Sequence, residues 1–188
     1  DVTVVTPVFH AGRVVFWLGS RGHHADIGGR TPGSAPPDST HIDEEGVLID
    51  NVRLVKAGVL QDSLARDVLG SGKHPCRNPD QNMADLKAQV AANETGAGEL
   101  RKITTQFGQD TVQAYMRHVQ DNAEESVRQV LDVLHDCAFT YPLDSGAQIQ
   151  VAIRVDRDTR SATLDFTGTS PQSELNYNAP LAICRAVV

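Results

Sequence analysis

Asn78-Pro79-Asp80-Gln81-Asn82-Met83-Ala84-Asp85-Leu86 marks a helix start. Asparagine caps well, proline fits the first helical position where the N–H has no partner, and an acid in the first turn meets the positive end of the helix dipole. Met83, Leu86, Val90, Ala97, Leu100, Ile103 and Phe107 then recur at helical spacing. Gly108 ends this helix and Asp110 is placed to cap the next, in which Val112, Tyr115, Met116, Val119, Ala123, Val127, Val130 and Leu134 continue the period. Two long helices joined by a short turn predict an antiparallel helical hairpin over residues 78–136, with the apolar stripe as core. Gly96 and Gly98 mark where the first helix would bend or break.

On both sides of the helices the pattern changes from a period near four to a period of two. Val2–Phe9 and Arg13–Leu18 are rich in β-branched and aromatic residues, and Ala11-Gly12 between them reads as a hairpin turn. Val47–Ile49 and Val52–Val55 are short strand candidates, and Gln61–Leu69 a short helix. Beyond the helices, Gln148–Val155 alternates polar and apolar and pairs with Ala162–Phe166 across the turn at 156–160. Asn176-Tyr177-Asn178-Ala179-Pro180 leads into a final apolar helix. Strands, then helices, then strands predict an α+β fold. Its parts are a strand-rich segment 1–77, the helical segment 78–136, and 137–188 as a strand hairpin plus a helix.

The 188 residues suffice for one ordinary domain with a sizeable core, and 40% apolar with 22% charged residues is an average globular composition. A net charge of −7 argues against nucleic acid, whose binders are basic, and no Lys/Arg block invites an anionic membrane surface. Cys76, Cys137 and Cys184 are far apart and include no Cys-x-x-Cys, which reads as reduced thiols in a cytoplasmic protein. The chain starts without methionine directly before Val2-Thr3-Val4-Val5 and stops inside Leu181–Val188. Native ends are usually polar and frayed, so these ends suggest a piece of a longer polypeptide.

The chemistry-bearing residues concentrate in Arg21-Gly22-His23-His24-Ala25-Asp26-Ile27-Gly28-Gly29. Imidazole nitrogen and carboxylate oxygen are ligands for zinc, manganese or iron(II), and glycine lets backbone approach closely. His23 and Asp26 at i,i+3 form a workable chelating pair, with the neighbouring histidine left for a supporting role. Asp38, His41, Asp43, Glu44 and Glu45, across the proline-rich loop 31–37, could complete a site, as could Asp1; as a plain alternative, Asp43–Glu45 is a solvated turn. Without a metal, His24 and Asp26 form a candidate acid/base pair. Gly70-Ser71-Gly72-Lys73 lacks the spacing of a phosphate loop and reads as an ordinary turn. Asp165-Phe166-Thr167-Gly168-Thr169 and the pair Asn176 and Asn178 suit either turn chemistry or a small polar ligand.

Taken together, Ser20–Gly29 with Thr31-Pro32-Gly33-Ser34, the run Asp85–Asn93, and Asp165–Thr169 resemble the hydantoinase B/5-oxoprolinase family over the whole chain. Gln113-Ala114-Tyr115-Met116 and the Gln120 to Glu124 segment look more like single-chain 5-oxoprolinases than separate hydantoinase B subunits. The resemblance implies a fragment of an ATP-dependent enzyme that opens the ring of 5-oxo-L-proline to give L-glutamate, or of a related hydantoinase or ketone carboxylase. It implies a hydantoinase A-type ATP-using domain or subunit as partner, a homo- or hetero-oligomer, and ATP with magnesium held outside this chain. It also implies a divalent metal (manganese, zinc or magnesium) on His23 and Asp26, with Glu45 as third ligand ahead of Asp38. On that basis His24 relays a proton with Asp26, Arg21 neutralises a carboxylate or phosphate oxygen, and Asn178 contacts substrate. The competing reading is an assembly module whose His/Asp loop is purely structural.

Overall fold

The computed structural model describes residues 1–188. The α+β expectation holds: seven strands in three small antiparallel sheets accompany four helices. The chain divides into two compact units, Asp1–Lys102 with Ser173–Val188, and Ile103–Gln172. The boundaries between them fall at residues 102/103 and 172/173.

In the first unit, β1 (Val2–His10) and β2 (Arg13–Gly22) form an antiparallel hairpin, Val2 opposite Gly22 and His10 opposite Arg13. Ala11 and Gly12 both take positive φ, +49° and +77°, as a two-residue turn of this hand requires. Along β1 the burial alternates, with Val2 and Val8 buried and Val5 exposed. Two-residue strands β3 (Val55–Lys56) and β4 (Val59–Leu60) pair across Ala57-Gly58, and α1 (Asp62–Leu69) follows. Val47–Ile49 is not the expected strand. Val47 donates its N–H to Ile27 O at 2.8 Å, so this segment braces the His/Asp loop instead of joining a sheet. Val52 to Leu54 likewise precede the strand rather than form it.

The helix α2 (Pro79–Phe107) begins where the capping signal placed it, and Asn78 Oδ1 accepts from Gln81 N. It runs unbroken through Gly96 and Gly98. Gly96 has a packing role, because a Cβ there would lie 3.3 Å from Leu18. The core joins Val2 of β1, Ala65 and Leu69 of α1, and Met83 and Leu86 of α2, with Ile27, Ile49, Leu54 and Cys76 packed around them. The buried face of α2 is not purely apolar: Asn82, Gln89 and Asn93 are buried on it too. Asn93 Nδ2 donates to Val4 O and Thr6 Oγ1, both at 3.0 Å, so the helix holds β1 by amide hydrogen bonds as well as by packing. The short α4 (Leu181–Val187) ends this unit's sequence and is exposed throughout.

In the second unit, α3 (Gln109–Leu131) precedes a three-stranded sheet in the order β5-β6-β7: β5 (Cys137–Pro142), β6 (Gln148–Asp156) and β7 (Ser161–Asp165). The β6–β7 hairpin matches expectation; β5 is an additional strand. The expected buried stripe is not buried on α3. Val112 is covered, while Tyr115, Met116, Val119, Val127 and Val130 are exposed, because no element of this unit covers that side of the helix. What ties α3 to its sheet is polar: Arg128 Nη1 donates to Arg160 O at 2.7 Å, and Arg160 Nη2 pairs with Glu125 at 2.8 Å. No helix is long and apolar enough to cross a membrane, and all three cysteines are free.

Candidate functional site

Strand β2 delivers the His/Asp loop at its C-terminal end, and Gly28 and Gly29 fix how that loop is folded away. Both take positive φ, +92° and +90°, which only glycine adopts without strain. A Cβ on Gly28 would sit 2.2 Å from His74 O, and one on Gly29 would sit 2.8 Å from Glu44 O and Glu45 O. The glycines therefore serve backbone-to-backbone packing: Gly29 N donates to His74 O at 2.9 Å, and Arg30 N donates to Glu44 O at 2.7 Å.

Asp26 holds this fold together. Its carboxylate accepts from Gly28 N at 2.8 Å, from Gly33 N at 3.2 Å and from Arg77 Nη1 at 2.7 Å, and Arg77 also donates to Gly29 O at 2.6 Å. Partial burial by itself would raise the carboxyl, but the Gly28 N–H, the Arg77 guanidinium and the Gly33 N–H outweigh it and hold it below the usual carboxylate range. Three donors surround an ionised Asp26 and close the loop around it. Arg77 carries no signal in the sequence beyond its charge; only the fold brings it 51 residues back to Asp26.

His24 is equally committed. Its Nε2 lies 3.1 Å from Gln89 Oε1 and its Nδ1 lies 3.1 Å from Asn82 Nδ2. Both ring nitrogens are held by side-chain amides from α2. His23, one residue earlier, points the other way. Its side chain is 91% exposed and its Nδ1 stands 2.6 Å from Asp1 Oδ1, across from the start of β1.

A cleft of about 480 Å³ opens beside this pair, lined by Asp1, Thr3, His23, His24, Ser34 and Glu45 among others. Glu45 is steered by Ser39, a 2% exposed residue whose hydroxyl donates to Glu45 Oε1 at 2.6 Å. Asn176 Nδ2 in turn donates to Ser39 Oγ at 3.1 Å and Pro36 O at 2.7 Å. Asn176, not Asn178, is thus joined to the loop behind the cleft. Asn178 closes its own turn by bonds to Ser173 and Leu175. Arg21 is exposed, and its Nε donates to Thr3 Oγ1 at 3.1 Å, its cross-strand partner.

The structure brings His23, His24 and Glu45 to one cleft and adds Asp1; it directs Asp26, Arg21 and Asn178 elsewhere. His23, Asp26 and Glu45 do not converge as a ligand set, and no group of three or more His, Cys, Asp or Glu residues is gathered in a way that could hold a metal ion. The other acids are used locally: Asp38 pairs with Arg30, His41 caps the 3-10 turn at Ile42–Glu44, and Glu44 accepts from Thr40 N. That is the solvated-turn alternative for this cluster. Gly70–Lys73 is the C-terminal turn of α1, with Ser71 Oγ donating to Val68 O. Asp165 accepts from Thr167 N in its own turn.

Gln89, Asn82 and Arg77 are the residues that sequence reasoning passed over. For the first two a signal exists: polar amides at 82, 89 and 93 fall on the same helical stripe as Leu86, where a surface helix would place apolar side chains.

Comparison with known proteins gives this geometry a setting. The chain is 41% identical over 97% of its length to a 5-oxoprolinase of Dictyostelium discoideum, and 41% identical over its full length to 5-oxoprolinase 1 of Arabidopsis thaliana. It spans 15% and 17% of those relatives' lengths. The crystal structure of an ATP-dependent caprolactamase from Pseudomonas jessenii superposes with a TM-score of 0.74 at 27% identity, covering 92% of this chain and 30% of that one. The family model described as Hydantoinase B/oxoprolinase matches residues 1–188, and the chain belongs to that family.

Proposed function

We propose that this chain is a section of the B-type part of an ATP-dependent cyclic-amide hydrolase, and that the whole enzyme opens 5-oxo-L-proline to L-glutamate. The observation that carries the choice of ring is the 41% identity to two 5-oxoprolinases, against 27% to the caprolactamase. Both kinds of relative are named for a lactam, so the reaction class is shared and the ring is what differs.

Amide resonance makes a lactam carbonyl a poor electrophile. Transfer of a phosphoryl group from ATP to the carbonyl oxygen removes that protection and creates a leaving group. Water then adds to the carbon, the ring C–N bond breaks with a proton delivered to nitrogen to leave an acyl phosphate, and a second water displaces phosphate to give the carboxylate. The polar groups this chain offers are those on the cleft: Asp1 and His23 facing each other at 2.6 Å, and Glu45 aimed by Ser39. In this reading Glu45 orients water, and the Asp1–His23 pair holds polar atoms of the substrate. His23, Asp26 and Glu45 do not converge on one point, so these side chains as placed do not fit a divalent ion.

ATP and its magnesium belong to an A-type domain or subunit outside this chain. The three free thiols fit a reducing compartment, and we place the protein in the cytoplasm. The test is the full-length protein with ATP and 5-oxo-L-proline, caprolactam or hydantoin, following glutamate and phosphate release. Glutamate formed in step with phosphate supports the reading; turnover of caprolactam or hydantoin alone refutes the ring. Unchanged turnover in His23→Ala and Glu45→Gln would remove the cleft from the chemistry.

A further inference from the structure

His24 is the residue that ties the cleft to the helix behind it. Each amide around it has its orientation fixed by its other bonds. Gln89 Nε2 donates both protons to backbone carbonyls, Val2 O and Ser20 O, each at 3.0 Å. Its Oε1 is therefore the atom facing the ring, and it can only accept. Asn82 Nδ2 donates one proton to Asp26 O at 2.8 Å and offers the other to His24 Nδ1 at 3.1 Å. Flipping either amide would set an oxygen against carbonyl oxygens. The only ring that satisfies both is the tautomer with the proton on Nε2 and a bare Nδ1.

We infer that Gln89 and Asn82 are positioning residues that act through His24, locking that tautomer and thereby holding His23 toward Asp1 at the cleft. His23 follows the end of β2 and shares a peptide bond with His24, so its direction is set where His24 is clamped. Asn82 grips the loop a second time at Asp26 O, two residues on. The arrangement is retained at a cost: Asn82 is 1% exposed and its Oδ1 is buried without a partner. An apolar residue would avoid that desolvation penalty, so the two donated bonds are what the amide supplies. Gln89, 9% exposed, performs the same service from the next turns of the helix while pinning both strands of the hairpin.

The inference rests on the reading of the cleft as the reacting site. Its test is a set of variants in the full-length protein, with kcat and KM measured on whichever lactam the wild type opens. Displacing a reacting group by about an ångström costs on the order of a hundredfold. His24→Ala and Gln89→Leu are each expected to lower kcat by roughly that factor with little change in KM, and the double variant to lose no more than either alone. His24→Gln places an amide N–H where Nε2–H stood, so it should restore most of the kcat lost in His24→Ala, but only while Gln89 is present. Amide exchange across residues 22–29 should follow the same order. His24→Gln as inactive as His24→Ala would mean the imidazole itself does chemistry and would overturn the inference, as would unchanged kcat in His24→Ala. A wild type that opens caprolactam and spares 5-oxoproline would refute the substrate assignment alone, with the variant order then read on caprolactam.

Discussion

Replacing Asp26 with asparagine separates its structural from its chemical role. The side chain is 15% exposed and accepts three hydrogen bonds. In Asp26→Asn the side chain keeps one oxygen, which can still take the Gly28 N–H, while its new NH₂ group faces the Arg77 guanidinium and the Gly33 N–H, donor against donor. The lost Gly33 bond to a charged acceptor is worth about 1.5 kcal/mol. The Arg77 pair would be worth more if buried, but Arg77 is 40% exposed, and solvent screening brings it to roughly 0.5–1 kcal/mol. A local loss of about 2 kcal/mol follows, or roughly thirtyfold faster opening, at about 1.4 kcal/mol per factor of ten. Hydrogen exchange on the full-length protein reads this directly: peptides covering 26–34 and 74–77 should exchange about thirtyfold faster, while the β5–β7 peptides stay unchanged. The sign of the pH effect is fixed as well. A carboxyl lowered on folding stabilises above its unfolded value, near 3.9, and that contribution fades as pH falls through the lower folded value. Wild type should therefore lose protection in this loop below about pH 4, toward the level of the Asp26→Asn variant. Equal exchange in both proteins, or a uniform rise over the whole molecule, would refute the assignment of Asp26 as the loop's anchor.

Three further outcomes follow from the same geometry. Gly28→Ala must place its Cβ 2.2 Å from His74 O at a φ of +92°, so it should cost well over about 2 kcal/mol of stability, whereas Gly33→Ala, with open space around it at φ +81°, should cost about 1 kcal/mol; the fall in thermal midpoint of each variant checks the order. Burial, with the Asp26 carboxylate beside it, pushes the Cys76 thiol up, so alkylation followed by mass spectrometry should label exposed Cys137 and Cys184 well before Cys76 at neutral pH. Arg128→Ala removes the donor to Thr159 O and Arg160 O and should speed exchange in the 156–161 turn by about tenfold, with no effect on residues 22–29.

Regular elements were legible in the sequence because their signals are local. The capping run at Asn78-Pro79-Asp80, the Ala11-Gly12 turn and the alternation in Gln148–Val155 each act within a few residues, and each matches an observed element. Long helical periodicity also gave α3, but it could not say what covers the helix: Val119 and Val127 repeat at the right spacing and stay exposed. The Val47–Ile49 segment failed for the opposite reason. Its composition favours a strand, yet a tertiary bond from Val47 N to Ile27 O claims it for the loop. The anchoring role of Asp26 was out of reach for a similar reason. A carboxylate three residues from a histidine is a chelating pattern in any sequence, and nothing local discloses that Arg77 will arrive from 51 residues away to occupy it.

The division of labour between adjacent histidines was the least legible point and follows from strand geometry once α2 is in place. Successive side chains at a strand end leave on opposite sides. One side here is a helix face carrying Asn82 and Gln89, so the histidine on that side must satisfy two amides; the histidine on the other side meets Asp1, and the cleft runs past both. A one-residue slip of β2 against β1 would turn the two rings over, bringing His23 toward the amides and taking His24 off them. That slip would also move Gly22 away from Val2, where its missing side chain leaves the Gln89 amide 3.5 Å from the position of a Cβ, and would break the pairing of Gln89 with both Val2 O and Ser20 O. The same amide that fixes the ring thus also fixes the register. Altering Gln89 is expected to disturb His23 even though the two side chains lie on opposite sides of the loop.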